Sequence, residues 1–167
     1  MLDPLVLIFL TSGLFLGWAL GANDAGNVFG TAVGTKMVSW RTAAIICSIF
    51  VVLGAIVSGA GTSQTLGKLG AISALPGAFM TALSAAFAVY AMTKFGLPVS
   101  TSQAIVGAII GWNFFSNNPT DISTLTKILS TWIICPLLSG VIAIILYQTI
   151  KFSAQRVHIH MIRADAY

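Results

Sequence analysis

From Leu5 to Gly34 the chain runs through apolar and small residues with one charge among them, Asp24. A helix needs about 20 apolar residues to cross the roughly 30 Å of hydrocarbon in a bilayer, so this stretch is longer than one simple crossing. Further apolar segments follow at 42–60, 75–95, 99–115 and 125–150, and the 167 residues are 57% hydrophobic and only 7% charged. In lipid every backbone N–H and C=O must find its partner inside the protein, so segments of this length predict helices. The expected fold class is an all-α membrane protein forming one small bundle rather than two domains.

Composition also removes other classes. The formal charge of +4 does not indicate a nucleic-acid partner, because the basic residues sit singly, mostly at segment ends where they orient a chain in the membrane. Cys47 and Cys135 fall inside apolar runs, with no disulfide framework or metal-ligand spacing around them. The N-terminus lacks a basic region before its apolar run and a clear cleavage site, so residues 5–34 read as a span and not as a removed signal peptide.

Inside that first stretch Asn23, Asp24 and Asn27 interrupt the apolar pattern. A carboxylate at bilayer depth costs roughly 2.5–3.5 kcal/mol on insertion scales and is kept where it faces a pathway, an ion or a partner. Gly13, Gly17 and Gly21 are spaced by four, as are Gly26, Gly30 and Gly34, but five separates the two series. The small-residue face slips at the polar cluster, which predicts two half-helices joined by an unwound turn there, a broken helix over 5–34.

The second span, 42–60, is read as ending in the small polar run Gly59 to Gln64. The third stops at Gly96-Leu97-Pro98, where glycine favours a helix end and proline bars its continuation. The fourth is short and begins with Ser100-Thr101-Ser102-Gln103; the last, 125–150, tolerates Pro136 as a kink. Residues 151–167 form a basic cytoplasmic tail or a linker to a second repeat. Two foldings fit: five crossings, or three crossings with a re-entrant hairpin over 75–115 whose tip is Gly96-Leu97-Pro98. The hairpin is preferred, since the fourth segment is short and its polar start would sit near mid-membrane, although Lys94 would then have to reach a wet cavity. In either folding Lys36 and Arg41 share a side with Lys151, Arg156 and Arg163. The positive-inside rule puts that side in the cytoplasm and the N-terminus outside, in a multi-pass protein of the cell membrane.

A helix that begins within the membrane offers unpaired N–H groups and the positive end of its dipole, which suits an oxyanion. Ser100, Thr101 and Ser102 add hydroxyls at that start, although Ser100 can equally be a simple helix cap. Asn23, Asp24 and Asn27 supply oxygens of the kind that bind a hard cation such as sodium. Asp24 has a second use: phosphate keeps an ionisable proton near neutral pH and sulfate does not, so a carboxylate can accept from one and repel the other. Thr62, Ser63 and Gln64 repeat the Thr-Ser-Gln of 101–103 and form a candidate secondary cation or gating element. No histidine stands near Ser100 or Ser102 to act as a base, which argues against an intramembrane hydrolase and for a protein that is not an enzyme.

Gly21-Ala22-Asn23-Asp24-Ala25-Gly26-Asn27-Val28-Phe29-Gly30-Thr31-Ala32-Val33-Gly34 resembles the GANDVANAFGTSVG signature of the inorganic phosphate transporter (PiT) family. Pro98-Val99-Ser100-Thr101-Ser102-Gln103, followed by Gly107 and Gly111, resembles the family's P-[IV]-S-T-T-H…G-x-x-x-G element. The resemblance implies a sodium- or proton-coupled symporter in which each of two inverted repeats brings one broken helix and one re-entrant hairpin to a central phosphate site. By position it assigns Asn23, Asp24 and Asn27 to the ion and phosphate centre, and Ser100, Thr101 and Ser102, with Gln103 beside them, to the phosphate cradle. Gln103 stands where many members have histidine, and Gln64 replaces an acid found in some. The chain covers one repeat, apparently the N-terminal one, so the expected partners are phosphate, sodium, lipid and a second transporter half, with complete transporters pairing as homodimers. No cofactor beyond the coupling sodium ions is expected. Competing readings are a proton-coupled phosphate carrier, a sulfate or other oxyanion permease, and a non-transporting half subunit.

Overall fold

The computed structural model describes residues 4–70 and 75–157. Its elements are helices: α1 (Pro4–Gly34), α2 (Trp40–Leu69), α3 (Leu75–Lys94), α4 (Thr101–Phe115) and α5 (Ile122–Val157). Four of them, α1, α2, α3 and most of α5, are long and apolar enough to cross a membrane. The all-α membrane fold class stands. Two compact units divide the chain, residues 1–124 and 125–167.

In the first unit α3 is the centre, packed between α1 and α4. It can be because its inward positions are small: Gly77, Thr81, Ala85, Ala86 and Val89 are buried. Small side chains let helix backbones approach closely, the main source of association where lipid is as apolar as leucine. α1 and α3 run parallel, with Phe9 edge-on to Phe79 at 5.6 Å, Phe15 to Phe87 at 5.3 Å, and Trp18 beside Tyr90 at 5.8 Å. α3 and α4 form an antiparallel hairpin, in which Gly77 near the start of α3 lies against the Trp112 ring near the end of α4.

The tip of the hairpin spans residues 95–100. α3 ends with the Leu97 N–H donating to the Met92 carbonyl and the Gly96 N–H to the Thr93 carbonyl. Gly96 takes the left-handed φ of 69° that this cap requires and that glycine adopts without a Cβ penalty. The same double bond closes α1 at Lys36 (φ 62°) and α4 at Asn117 (φ 54°). The tip lies level with Asn23, and α1 continues for about 16 Å past it at 1.5 Å per residue.

Two expectations are corrected. α1 is one continuous helix from Pro4 to Gly34, not two half-helices. Its Asn23 and Asp24 are met from the side by the hairpin tip, so their polar groups find partners without the backbone unwinding. The second span does not end at residue 60. α2 continues through Gly59 to Gln64 as far as Leu69, and the hydroxyls of Thr62 and Thr65 bond back to the carbonyls of Ser58 and Gly61. That back-bonding lets a polar run stay helical inside lipid. In the second unit helix continues past residue 150 to Val157, with Pro136 inside it. The remaining residues of the 151–167 tail, including His158, His160 and Arg163, lie outside the described residues.

Candidate functional site

Asn23 is 6% exposed on α1, and its carboxamide is bonded at every position. Its Nδ2 donates to Thr93 Oγ1 at 2.9 Å and to the Leu97 carbonyl at 3.4 Å. Its Oδ1 accepts from the Val99 N–H at 3.3 Å and from Asn27 Nδ2 at 3.1 Å. The spacing of four that puts Asn27 on the same helix face thus produces a real bond between them, with Asn27 itself exposed.

Asp24, the next residue, touches the start of α4. Thr101 Oγ1, buried at 4% exposure, donates to Asp24 Oδ1 over a long 3.5 Å. The carboxylate also lines a groove of about 740 Å³ between α1 and the first half of α2, together with Gly21, Val28, Ala44, Cys47 and Ser48. Asp24 therefore stands between the hairpin tip and this largely apolar recess.

At the start of α4 Ser100 is the N-cap, its Oγ accepting the Gln103 N–H at 3.4 Å, while the Ser100 carbonyl accepts the Ala104 N–H. The capping role foreseen for Ser100 is thus present. The N–H groups of Thr101 and Ser102 have no hydrogen-bond partner among the described residues, as expected for the first turn of a helix. Ser100, Ser102 and Gln103 are exposed. The start of α4 thus carries two unpartnered amides and the exposed hydroxyls of Ser100 and Ser102, next to the Thr101 hydroxyl that joins it to the Asp24 carboxylate. This set can donate to an anion with several oxygens and accept a proton from it at Asp24.

Thr62, Ser63 and Gln64 are not brought to this cluster. They lie exposed on α2, about 16 Å along the helix beyond Val51, where the lining of the Asp24 groove ends. Sequence reasoning missed Thr93 and the main chain of Leu97 and Val99. A signal existed for Thr93, which with Lys94 supplies the polar groups of the last turn of α3.

A family model described as "Phosphate transporter family" matches residues 20–165. The chain is 30% identical over 166 residues to a protein of Pyrococcus furiosus named "Putative phosphate permease", covering 89% of this chain and 39% of that one. It is 31% identical to a protein of the same name in Haemophilus influenzae, over 87% of this chain and 37% of the other. It is 34% identical to sodium-dependent phosphate transporter 1 of Mus musculus, over 78% of this chain and 21% of the mouse protein. The chain thus spans about two fifths, or less, of the length of these curated relatives. No solved structure matches it significantly. The helices of membrane-crossing length make it a multi-pass integral membrane protein, and the match across nearly its whole length shows that the chain belongs to the phosphate transporter family.

Proposed function

We propose that this chain forms one half of a symporter that moves inorganic phosphate together with sodium ions. The observation that carries the reading is the meeting of the Asp24 carboxylate with the open start of α4, joined through Thr101. Phosphate binds there with its unprotonated oxygens on the Thr101 and Ser102 amides and the hydroxyls of Ser100 and Ser102, while the Thr101 hydroxyl stays on Asp24. Its remaining proton donates to Asp24, which a fully ionised sulfate cannot do. Helix-start amides stabilise such an anion without a cation in the cradle, and Gln103 borders it. Sodium takes oxygens of Asp24 and Asn27, with Asn23 behind them. The name of the mouse relative supports sodium as the coupling ion.

The hairpin of α3 and α4 is re-entrant in this reading. α4 has 15 residues, about 22 Å of helix, too short for the hydrocarbon, and the tip stops well before the end of α1. The basic loop at Lys36 and Arg41 lies in the cytoplasm of the cell, with the N-terminus outside. The second half packs in the groove between α1 and α2, on the same chain or another, and Thr62 to Gln64 gate or hold a second cation when it is present.

Phosphate uptake into liposomes holding both halves tests the proposal. Uptake should rise with an inward sodium gradient and should not be competed by sulfate. Asp24→Asn should lower it at least a hundredfold while membrane insertion is unchanged. Uptake indifferent to sodium removes the coupling ion, and full activity in Asp24→Asn removes the carboxylate from the mechanism.

A further inference from the structure

Asn23 does something at the hairpin tip that ligand binding does not explain. An asparagine side chain has two N–H donors and an oxygen with two lone pairs, and here all four positions are occupied. Three of the four reach α3 and the tip: Thr93 Oγ1, the Leu97 carbonyl and the Val99 N–H. The pairing of a carbonyl with the N–H two residues later is how a neighbouring strand would bind an extended segment, and residues 97–100 carry no helical or turn assignment. Between them Pro98 has no N–H, and the Leu97 N–H is spent on the cap of α3. The α3 cap and Asn23 together therefore use every N–H of the tip up to the residue before Ser100, and the amides left over are those at the start of α4.

We infer that Asn23 is a positioning residue that straps the hairpin tip to α1 and so sets where the α4 start lies relative to Asp24. Asn23 and Asp24 are consecutive, and they grip the hairpin on either side of Ser100, through Val99 and Thr101. Thr93 is the second half of the strap. Its hydroxyl accepts from Asn23 while donating to the Val89 carbonyl, which fixes the direction in which Asn23 can bond. The strap holds the cradle in one arrangement before the anion arrives. An unstrapped tip populates that arrangement for only a fraction of the time, and apparent affinity falls by the same fraction. The inference rests on the reading of the α4 start as the anion cradle.

Thr93→Val separates the strap from the ligand groups, because it removes one hydroxyl and leaves Asn23, Asp24, Asn27 and residues 100–102 intact. Amide hydrogen exchange of the substrate-free protein in nanodiscs reads the strap directly. The Val99 N–H should exchange faster by about tenfold or more in Asn23→Ala and by a smaller factor in Thr93→Val, with exchange at 113–118 unchanged. In transport assays Thr93→Val should raise the phosphate KM about 5-fold with maximal rate nearly unchanged. The double variant should be no worse than Asn23→Ala, since both cut the same bond. Unaltered Val99 exchange in Asn23→Ala overturns the inference, as does a Thr93→Val whose maximal rate falls at unchanged KM. If the unmodified protein carries no phosphate, the transport reading fails while the exchange experiment still decides the strap.

Discussion

Both ends of the α3–α4 hairpin are tied down by an asparagine, and they are tied differently. At the tip Asn23 reaches in from α1 and binds mainly backbone, leaving Lys94, Phe95, Leu97 and Ser100 exposed around it. At the base Asn113 belongs to the hairpin itself and is 1% exposed. Its Nδ2 donates to the Leu69 carbonyl at 3.3 Å and to Thr120 Oγ1 at 3.0 Å, while its Oδ1 has no partner among the described residues. The Leu69 carbonyl also accepts the Asp121 N–H, so the ends of α2 and α4 and the turn before α5 meet at one oxygen. Around it Leu69 and Ile109 are fully buried. The tip is held by hydrogen bonds, each worth about 0.5–1.5 kcal/mol net and exchangeable for bonds to a ligand. The base adds to its hydrogen bonds the fit of buried side chains, which has no such exchange. Motion of the hairpin is therefore expected at the tip, with the base as its pivot.

The sharpest way to break this contrast is Gly70→Ala. A Cβ there would stand 2.5 Å from Asn113 Oδ1 and 2.7 Å from Ile109 Cγ2, both on buried side chains with nowhere to retreat. Overpacking of this kind costs about 1–3 kcal/mol, and the upper end is expected. The thermal midpoint in detergent should drop by about 4–10 °C. A midpoint within a degree of the parent would show the base to be loose. Gly77→Ala should do less. Its Cβ meets the Trp112 ring edge at 2.9–3.0 Å, and that half-buried ring can swing where Asn113 cannot. A cost near 1 kcal/mol is expected, with a drop in midpoint smaller than that of Gly70→Ala. The reverse order would place the rigid part of the hairpin at Trp112.

The same contrast explains what could be read from the sequence. The five apolar segments, the turn at Gly96-Leu97-Pro98 and the cap at Ser100 were legible because each depends on local rules: apolar length, a left-handed glycine, a hydroxyl before a helix. The continuity of α1 was not. Asn23 and Asp24 look like a break when their partners are unknown, and those partners, Thr93, Leu97, Val99 and Thr101, lie some 70 to 77 residues away. Gly59 to Gln64 misled for a related reason, since short hydroxyl side chains that favour turns in water bond back to their own helix in lipid. Asp24 and the α4 start were each visible as chemistry; that Thr101 joins them is a tertiary fact. Asn113 gave no signal, being one polar residue in an apolar helix.

The smallest effect concerns the α1 glycines. A Cβ built at Gly13, Gly17, Gly21, Gly26, Gly30 or Gly34 meets nothing within 4 Å, so among the described residues none of the six is needed for packing. Alanine favours helix over glycine by about 0.8–1.0 kcal/mol, and Gly30→Ala in the chain alone should therefore raise its thermal midpoint slightly. Gly30 also lines the 740 Å³ groove beside Asp24, where the second half is proposed to pack. A helix seated there would approach the α1 backbone closely and meet the new methyl, so the substitution that stabilises the isolated chain should weaken its assembly with the other half. Opposite signs in the two measurements are the expected result. Stabilisation in both would mean that the partner leaves this face of α1 to lipid, and destabilisation of the isolated chain would mean that α2 closes over the glycines more tightly than the open groove allows.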